Sequence, residues 1–137
     1  MLNNCFYCTT IFLNEGIYYL DYNTEINGIL ITKPVNLIGI NSRTLTKLNE
    51  DSTKYAITIN SSNVRISNFK IDGSENFLFR DAIHFEENGG ENIVIDNIEI
   101  TRITRRGISF FGKNTNNCLV ENCRFSYIKE QVNLLLK

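Results

Sequence analysis

The most restrictive feature of the sequence is a repeat of about 25 residues that occurs three times in the chain. The copies read AITI (56–59) with NVRISNFKI (63–71), AIHF (82–85) with ENIVIDNIEI (91–100), and GISF (107–110) with NNCLVENCRF (116–125). Ile57, Ile83 and Ile108 correspond, at steps of 26 and 25 residues. A fainter earlier copy reads GILI (28–31) and PVNLIGI (34–40). A repeat of this length predicts stacked units that share one continuous core.

Each copy contains three short runs in which apolar and polar residues alternate, which is the period of a β-strand. In the first copy the apolar positions are Ile57 and Ile59, then Val64 and Ile66, then Phe69 and Ile71. Only Ser67 and Asn68 separate the second run from the third, and the inward pattern continues past them, so we expect a bend and not a hairpin. Asn tolerates the left-handed backbone that such a bend requires. Because Asn97 and Asn122 recur at this position, we predict an Asn ladder at the bend between the second and third strands.

Composition supports strands and excludes two classes of protein. Alanine occurs only twice, at Ala56 and Ala82, while isoleucine and asparagine are abundant; this balance disfavours helix and favours strand. No apolar run approaches the roughly 18–20 residues that a membrane span needs. The net charge of −1 argues against a strongly electrostatic nucleic-acid binder. We therefore expect an all-β protein with no membrane span and no nucleic-acid partner.

Three strands per turn wind into a coil, and stacked coils place equivalent strands side by side about 4.8 Å apart. This arrangement predicts that Ile57 stacks on Ile83 and Ile83 on Ile108. It also predicts a column in which Val64 is followed by Ile93 and then by Cys118. We expect a single-stranded parallel β-helix of about four coils, with Cys118 and Cys123 in its core. A leucine-rich repeat is the alternative, although there the Asn follows its strand instead of lying between two runs.

The pattern I-x-I followed by N-V-x-I-x-N-x-x-I resembles the right-handed parallel β-helix of the pectate-lyase-like superfamily. Residues 14–48 are similar to the opening of many such domains, and the resemblance covers roughly residues 14–128. It implies a right-handed coil. It says little about activity, because the superfamily includes lyases, hydrolases, epimerases, phage tailspikes and adhesins.

We treat residues 1–137 as a single domain, with a poorly defined lead-in at 1–15 and a terminal cap at 129–137. A fragment of a longer solenoid explains the short length equally well. Met1–Thr10 contains no convincing signal peptide. The resemblance favours an extracellular, cell-surface or virion location, and the compartment is otherwise left open.

The candidate site lies on the first run, because loops of variable length flank it and the family commonly builds its saccharide groove there. The outward residues of this run are Thr58, His84 and Ser109, and small residues precede them at Ala56, Ala82 and Gly107. The charged residues close by in sequence are Arg80, Asp81, Glu86, Glu87, Arg105 and Arg106. We expect this face to be open to a ligand.

The catalytic hypothesis assigns a role to each of five residues. His84, the only histidine in the chain, would act as general base or acid, since a neutral imidazole titrates near pH 6.5. Arg105 or Arg106 would neutralise a sugar carboxylate through paired hydrogen bonds. Asp81 and Glu86 would serve as acid and base or as calcium ligands. Thr58, Arg80, Glu87 and Ser109 would contact the substrate.

The opposing interpretation is that these residues form an ordinary solvated strand face with surface ion pairs. The N-T-D, D-D and G-H-G motifs of the family's hydrolases are absent, and so is the Asp cluster of a pectate lyase calcium site. We assign no cofactor, and calcium is the one ion considered. Cys5 and Cys8 lack a second closely spaced pair, which argues against zinc.

The best functional hypothesis is recognition of a polysaccharide, with lyase-like or epimerase-like chemistry on a uronate polymer as its catalytic form. The alternative is a non-catalytic structural or adhesive module, such as part of a trimeric phage tailspike or tail fibre or a surface adhesin. That alternative implies a homotrimer, for which the outward Val94 and Leu119 would supply a small apolar contact. Converging arginine and carboxylate groups around His84 would favour the enzyme, and a flat, wet face would favour the module.

Overall fold

A computed structural model describes residues 9–20, 28–40, 43–46, 54–110 and 116–130 of the chain. These residues form eleven β-strands and no helix. The strands are β1 (Thr9–Leu13), β2 (Gly16–Tyr19), β3 (Ile29–Ile31), β4 (Val35–Gly39), β5 (Arg43–Thr46), β6 (Tyr55–Ile59), β7 (Val64–Asp72), β8 (Phe79–Phe85), β9 (Glu91–Ser109), β10 (Asn116–Glu121) and β11 (Arg124–Ile128).

All the strand pairs are parallel, and together they form a β-solenoid of about four turns. The first-run row contains β3, β6, β8 and the end of β9. The second-run row contains β1, β4, the start of β7, the start of β9, and β10. The third-run row contains β2, β5, the end of β7, the middle of β9, and β11. This confirms the all-β parallel coil.

The register agrees with the repeat alignment at the positions that the alignment singled out. Ile57 pairs with Ile83 and Ile83 with Ile108. Ile93 lies between Val64 and Cys118 in the second-run row. Their side chains belong to a core in which isoleucine dominates and in which Ile57, Ile83 and Ile108 have no exposed surface. The register follows from this core, because a slip of one residue would turn every inward side chain to the outside.

The bends are made by asparagines with positive φ, as the sequence predicted. Asn68, Asn97 and Asn122 have φ of 68°, 53° and 52°. The Asn68 amide donates a hydrogen bond to the carbonyl of Gly39 in the preceding coil, at 2.8 Å, whereas the Asn97 amide donates to Asp96 Oδ2. A continuous amide ladder at this bend, and the right-handed winding, stay predictions, because strand pairing alone determines neither.

A second series of left-handed asparagines starts the second run, and the sequence analysis missed it. Asn63, Asn92 and Asn117 have φ of 58°, 58° and 54°. Asn92 Nδ2 donates a hydrogen bond to Asn63 Oδ1 at 2.6 Å, from one coil to the next. The repeat alignment contained the signal, since these positions are separated by 29 and 25 residues.

Two further expectations differ from the structure. Part of the lead-in is ordered as β1, whose Ile11 pairs with Leu37 of β4. Val94 does not form an exposed patch, because only 3% of its surface is accessible.

Cys118 and Cys123 are free thiols that are partly buried and pack against the core. Cys5, Cys8 and residues 131–137 of the expected cap lie outside the described residues. No segment of the described chain forms a helix long and apolar enough to span a bilayer.

Candidate functional site

The first-run row brings the predicted site residues together along the solenoid axis. Thr58 pairs with His84, and His84 pairs with Ser109. Since every second residue of a strand faces the same side, these three side chains share the face opposite the isoleucine column. Three residues before His84, Asp81 pairs with Arg106 on the next coil, which brings one acidic and one basic candidate together.

This face is much less open than expected. Thr58 has no accessible surface, Ser109 has 4% and His84 has 9%. Part of the cover on His84 is the ring of Tyr55, which stacks on the imidazole with 4.1 Å between centroids and 10° between planes. Thr58 therefore cannot touch a ligand in this conformation.

His84 lies between two carboxylates. Its Nε2 is 3.3 Å from Glu86 Oε1, and its Nδ1 is 3.9 Å from Asp81 Oδ2. Burial lowers the pKa of His84, because an imidazolium loses hydration there; attraction to Glu86 and Asp81 opposes this shift without cancelling it. The imidazole is therefore neutral at neutral pH, with Nε2 directed at Glu86.

Asp81 is the buried carboxylate of the cluster, with 2% of its surface exposed. Its Oδ1 accepts a hydrogen bond from the backbone N–H of Arg106 at 3.1 Å. Burial raises the pKa of Asp81, and the Arg106 amide and the positive charges nearby offset only part of this shift. Burial thus shifts the pKa values of both His84 and Asp81 away from their ordinary values, and perturbed pKa values are frequent at functional sites.

The three arginines of the hypothesis differ in what they contact. Arg105 Nε donates to Glu130 Oε2 at 3.2 Å, in a pair whose partners both remain partly exposed. Arg106 and Arg80 each carry a buried Nε atom that has no hydrogen-bond partner within the described structure. A buried guanidinium N–H is costly to leave without an acceptor. Arg106 and Arg80 therefore fit an anionic ligand better than Arg105 does.

Glu86 and Glu87 follow the strand at the turn after β8. Glu86 keeps 41% of its side-chain surface exposed, and its backbone N–H donates to the carbonyl of Ile59. Glu87 is exposed on the same turn. The accessible part of the cluster is thus its carboxylate rim, with His84 directly beneath Glu86.

The sequence analysis missed Tyr55 and Glu130. Tyr55 pairs with Asp81 across β6 and β8, so it occupies the same repeat position as Asp81 and Arg106. Burial raises the pKa of its phenol, and the charges of Asp81 and Glu86 add to the shift. The repeat alignment contained the signal for Tyr55. Glu130 lies 25 residues after Arg105, so the repeat step also contained the signal for this pair.

The described residues include no group of three or more His, Cys, Asp or Glu side chains that could hold a metal ion. Comparison of the chain with models of protein families, with curated proteins and with solved structures found no match. The coil architecture and the contacts around His84 therefore carry the functional argument.

Proposed function

We propose that the chain is a pectate-lyase-like β-helix that recognises an acidic polysaccharide through the His84 cluster. The observation that carries the proposal is the buried Nε atom of Arg106, which neighbours the His84 cluster and has no acceptor in the described structure. Arg80 carries a second such Nε atom on the same strand as His84. A guanidinium group suits a uronate carboxylate, since it offers two parallel N–H donors to two oxygens.

The cluster also contains the groups that β-elimination on a uronate requires. A neutral imidazole would remove the proton next to the sugar carboxylate, and Arg106 would stabilise the negative charge that develops there. The electron pair then forms a carbon–carbon double bond as the glycosidic C–O bond breaks, and the leaving oxygen takes up a proton from water. The neutral state of His84 supports this role. Its Nε2 faces Glu86 and its Nδ1 is buried, so the Glu86 carboxylate must move aside before a substrate reaches the ring.

Binding is tested by affinity electrophoresis of the purified chain in gels that contain polygalacturonate or alginate. Arg106→Gln is expected to weaken retardation by about tenfold in apparent affinity, the typical loss of one charge-assisted contact. Arg124→Gln is the matched control, because Arg124 is exposed on the third-run row. Absence of retardation by every uronate polymer, or an unchanged Arg106→Gln variant, would refute the proposal.

Catalysis is tested on the same polymers, with and without calcium, by the ultraviolet absorbance of the unsaturated product. A rise that His84→Gln abolishes, with circular dichroism unchanged, assigns β-elimination to this site. No rise together with retained binding identifies a binding protein.

The second candidate is a structural module, and the apolar residues on the first described strand of each row favour it. Ile11, Phe12, Ile17 and Leu30 expose between 48% and 60% of their surface on β1, β2 and β3. Strands that pair on one side only and expose apolar side chains promote association with another chain. Light scattering after size exclusion tests this candidate, and a monomer at high concentration would argue against it.

A further inference from the structure

A second concave surface lies on the third-run row, away from the strands that carry His84. This groove has a volume of about 580 Å³, within the roughly 300–1,000 Å³ of ligand pockets. Lys70, Glu99, Thr101 and Ser126 line it along the sheet, and Glu75 and Phe77 line it from the loop after β7. Arg102 and Tyr127 complete it.

Arg102 and Tyr127 enter the groove from a strained corner of the coil. Thr101 pairs with Ser126 and Ile103 pairs with Ile128, so Arg102 and Tyr127 occupy the same position of consecutive coils. Their φ angles are 57° and 51°, a conformation that is unfavourable for large side chains. Tyr127 exposes 75% of its surface beside the groove.

The polar walls of the groove are held in place by contacts with their neighbours. Arg102 makes two hydrogen bonds with the Asp72 carboxylate, and Ser126 Oγ donates to Thr101 Oγ1 at 2.8 Å. The Lys129 ammonium lies 4.2 Å from the centroid of the Phe77 ring. A site that is organised before binding loses less entropy when a ligand arrives.

The charges of the groove favour an uncharged ligand. Lys70 lies 3.8 Å from Asp72 and 4.0 Å from Glu99, and Arg102 is neutralised by Asp72. Glu75 and Glu99 would repel an anion. Hydroxyl groups suit this lining instead, because carboxylates accept from them and ammonium and hydroxyl groups donate to them.

We propose that this groove binds a neutral pyranose oligosaccharide, with the exposed face of Tyr127 stacking on the apolar face of a sugar ring. Aromatic side chains that are exposed beside polar groups provide large contact area at low entropic cost. The charge balance distinguishes this site from the His84 cluster, for which we propose an acidic polymer.

The test is isothermal titration of the full chain with neutral hexasaccharides of glucose, xylose, mannose and galactose. Tyr127→Ala is expected to weaken binding of the preferred hexasaccharide by about tenfold or more. Tyr19→Ala is the matched control, since Tyr19 is also an exposed tyrosine on the third-run row, 40% accessible, and lies in β2 at the other end of the solenoid. Circular dichroism confirms that both variants fold.

Three outcomes overturn the proposal: no hexasaccharide binds, Tyr127→Ala binds as the parent does, or Tyr127→Ala impairs binding of polygalacturonate alone. The His84→Gln variant separates the two sites. It should bind the neutral hexasaccharide normally, whether or not the acidic-polymer proposal holds.

Discussion

Arg102 forms a bidentate ion pair with Asp72 on the neighbouring coil, with Nε 2.8 Å from Oδ1 and Nη2 2.5 Å from Oδ2. Asp72 ends β7 and pairs in register with Thr101, so the arginine that follows Thr101 lies directly beside it. The Asp72 side chain is only 11% exposed. The pair therefore joins the third-run row to the loop that forms one wall of the groove.

Asp72→Asn is expected to lower the free energy of unfolding at neutral pH by about 1.5–3 kcal/mol, the range for hydrogen bonds to charged groups. Burial by itself raises the pKa of Asp72, but hydrogen bonds from Arg102 and the Ser74 amide outweigh it, and the pKa lies below its usual range. The contribution is thus fully present above the unfolded pKa of about 3.9 and is lost as the pH falls through the folded pKa. Urea denaturation at several pH values measures this contribution.

Glu99→Gln is the control, because Glu99 forms an exposed and longer pair with Lys70; it should change the free energy of unfolding by less than about 1 kcal/mol. A deficit for Asp72→Asn that persists undiminished in strong acid would contradict this account.

Asn92 is expected to tolerate glycine better than alanine. Both substitutions remove the 2.6 Å hydrogen bond to Asn63, which costs about 1 kcal/mol. Alanine keeps a Cβ at φ 58° without the polar side chain that helps asparagine to adopt this conformation, whereas glycine has no Cβ, and this strain costs alanine about 1–2 kcal/mol more. Thermal and urea unfolding of the two variants measure the difference. Equal stability of Asn92→Ala and Asn92→Gly would show that the backbone conformation is not retained.

His84 is expected to titrate below the ordinary histidine pKa of about 6.5, because burial disfavours its charged form. The unfolded chain then binds the proton more readily, so stability falls as the pH drops through about 6.5 toward the folded pKa. Glu86→Gln should lower the pKa of His84 more than Asp81→Asn does, since the attraction to Glu86 is the larger one. The chain has one histidine, so a single imidazole resonance followed by NMR reports the titration. A midpoint above 6.5 in the parent chain would refute the burial argument.

Gly73→Ala is expected to be strongly destabilising, by about 1–3 kcal/mol. A Cβ at Gly73 would overlap the backbone carbonyl oxygen of Arg102, which cannot rotate away. Gly107→Ala is the comparison, because there the Cβ would meet the side-chain ring of Phe125, which can shift. Melting temperatures should fall further for Gly73→Ala. The reverse order would indicate that the coils can separate locally.

Much of the fold was predictable from the sequence because the repeat acts on every coil at once. An inward residue must stack on its equivalent, so the alignment of Ile57, Ile83 and Ile108 already contained their pairing. The left-handed bends at Asn68, Asn97 and Asn122 followed from the few residue types that accept that conformation. The lead-in strand β1 was missed because Thr9–Leu13 pairs on one side only and lacks a strong alternating pattern.

The candidate site was predictable in position and not in environment. The period of two placed Thr58, His84 and Ser109 on one face, and the structure agrees. Their burial depends on what packs over that face, such as the ring of Tyr55 on His84. The alternation of residues along a strand predicts only which way a side chain points, whereas its exposure depends on the residues that pack around it.

The sequence by itself determined the parallel coil, its register and the asparagine bends, because these follow from local backbone preference and from the need to stack apolar columns. The tertiary structure alone decided that Asp81 and His84 are desolvated, that Arg105 contacts Glu130, and that Arg102 and Tyr127 line a groove. These features arise between residues about 25 positions apart, on neighbouring coils. The repeat places such residues side by side, but the conformations of their side chains decide which atoms touch and which remain accessible to water.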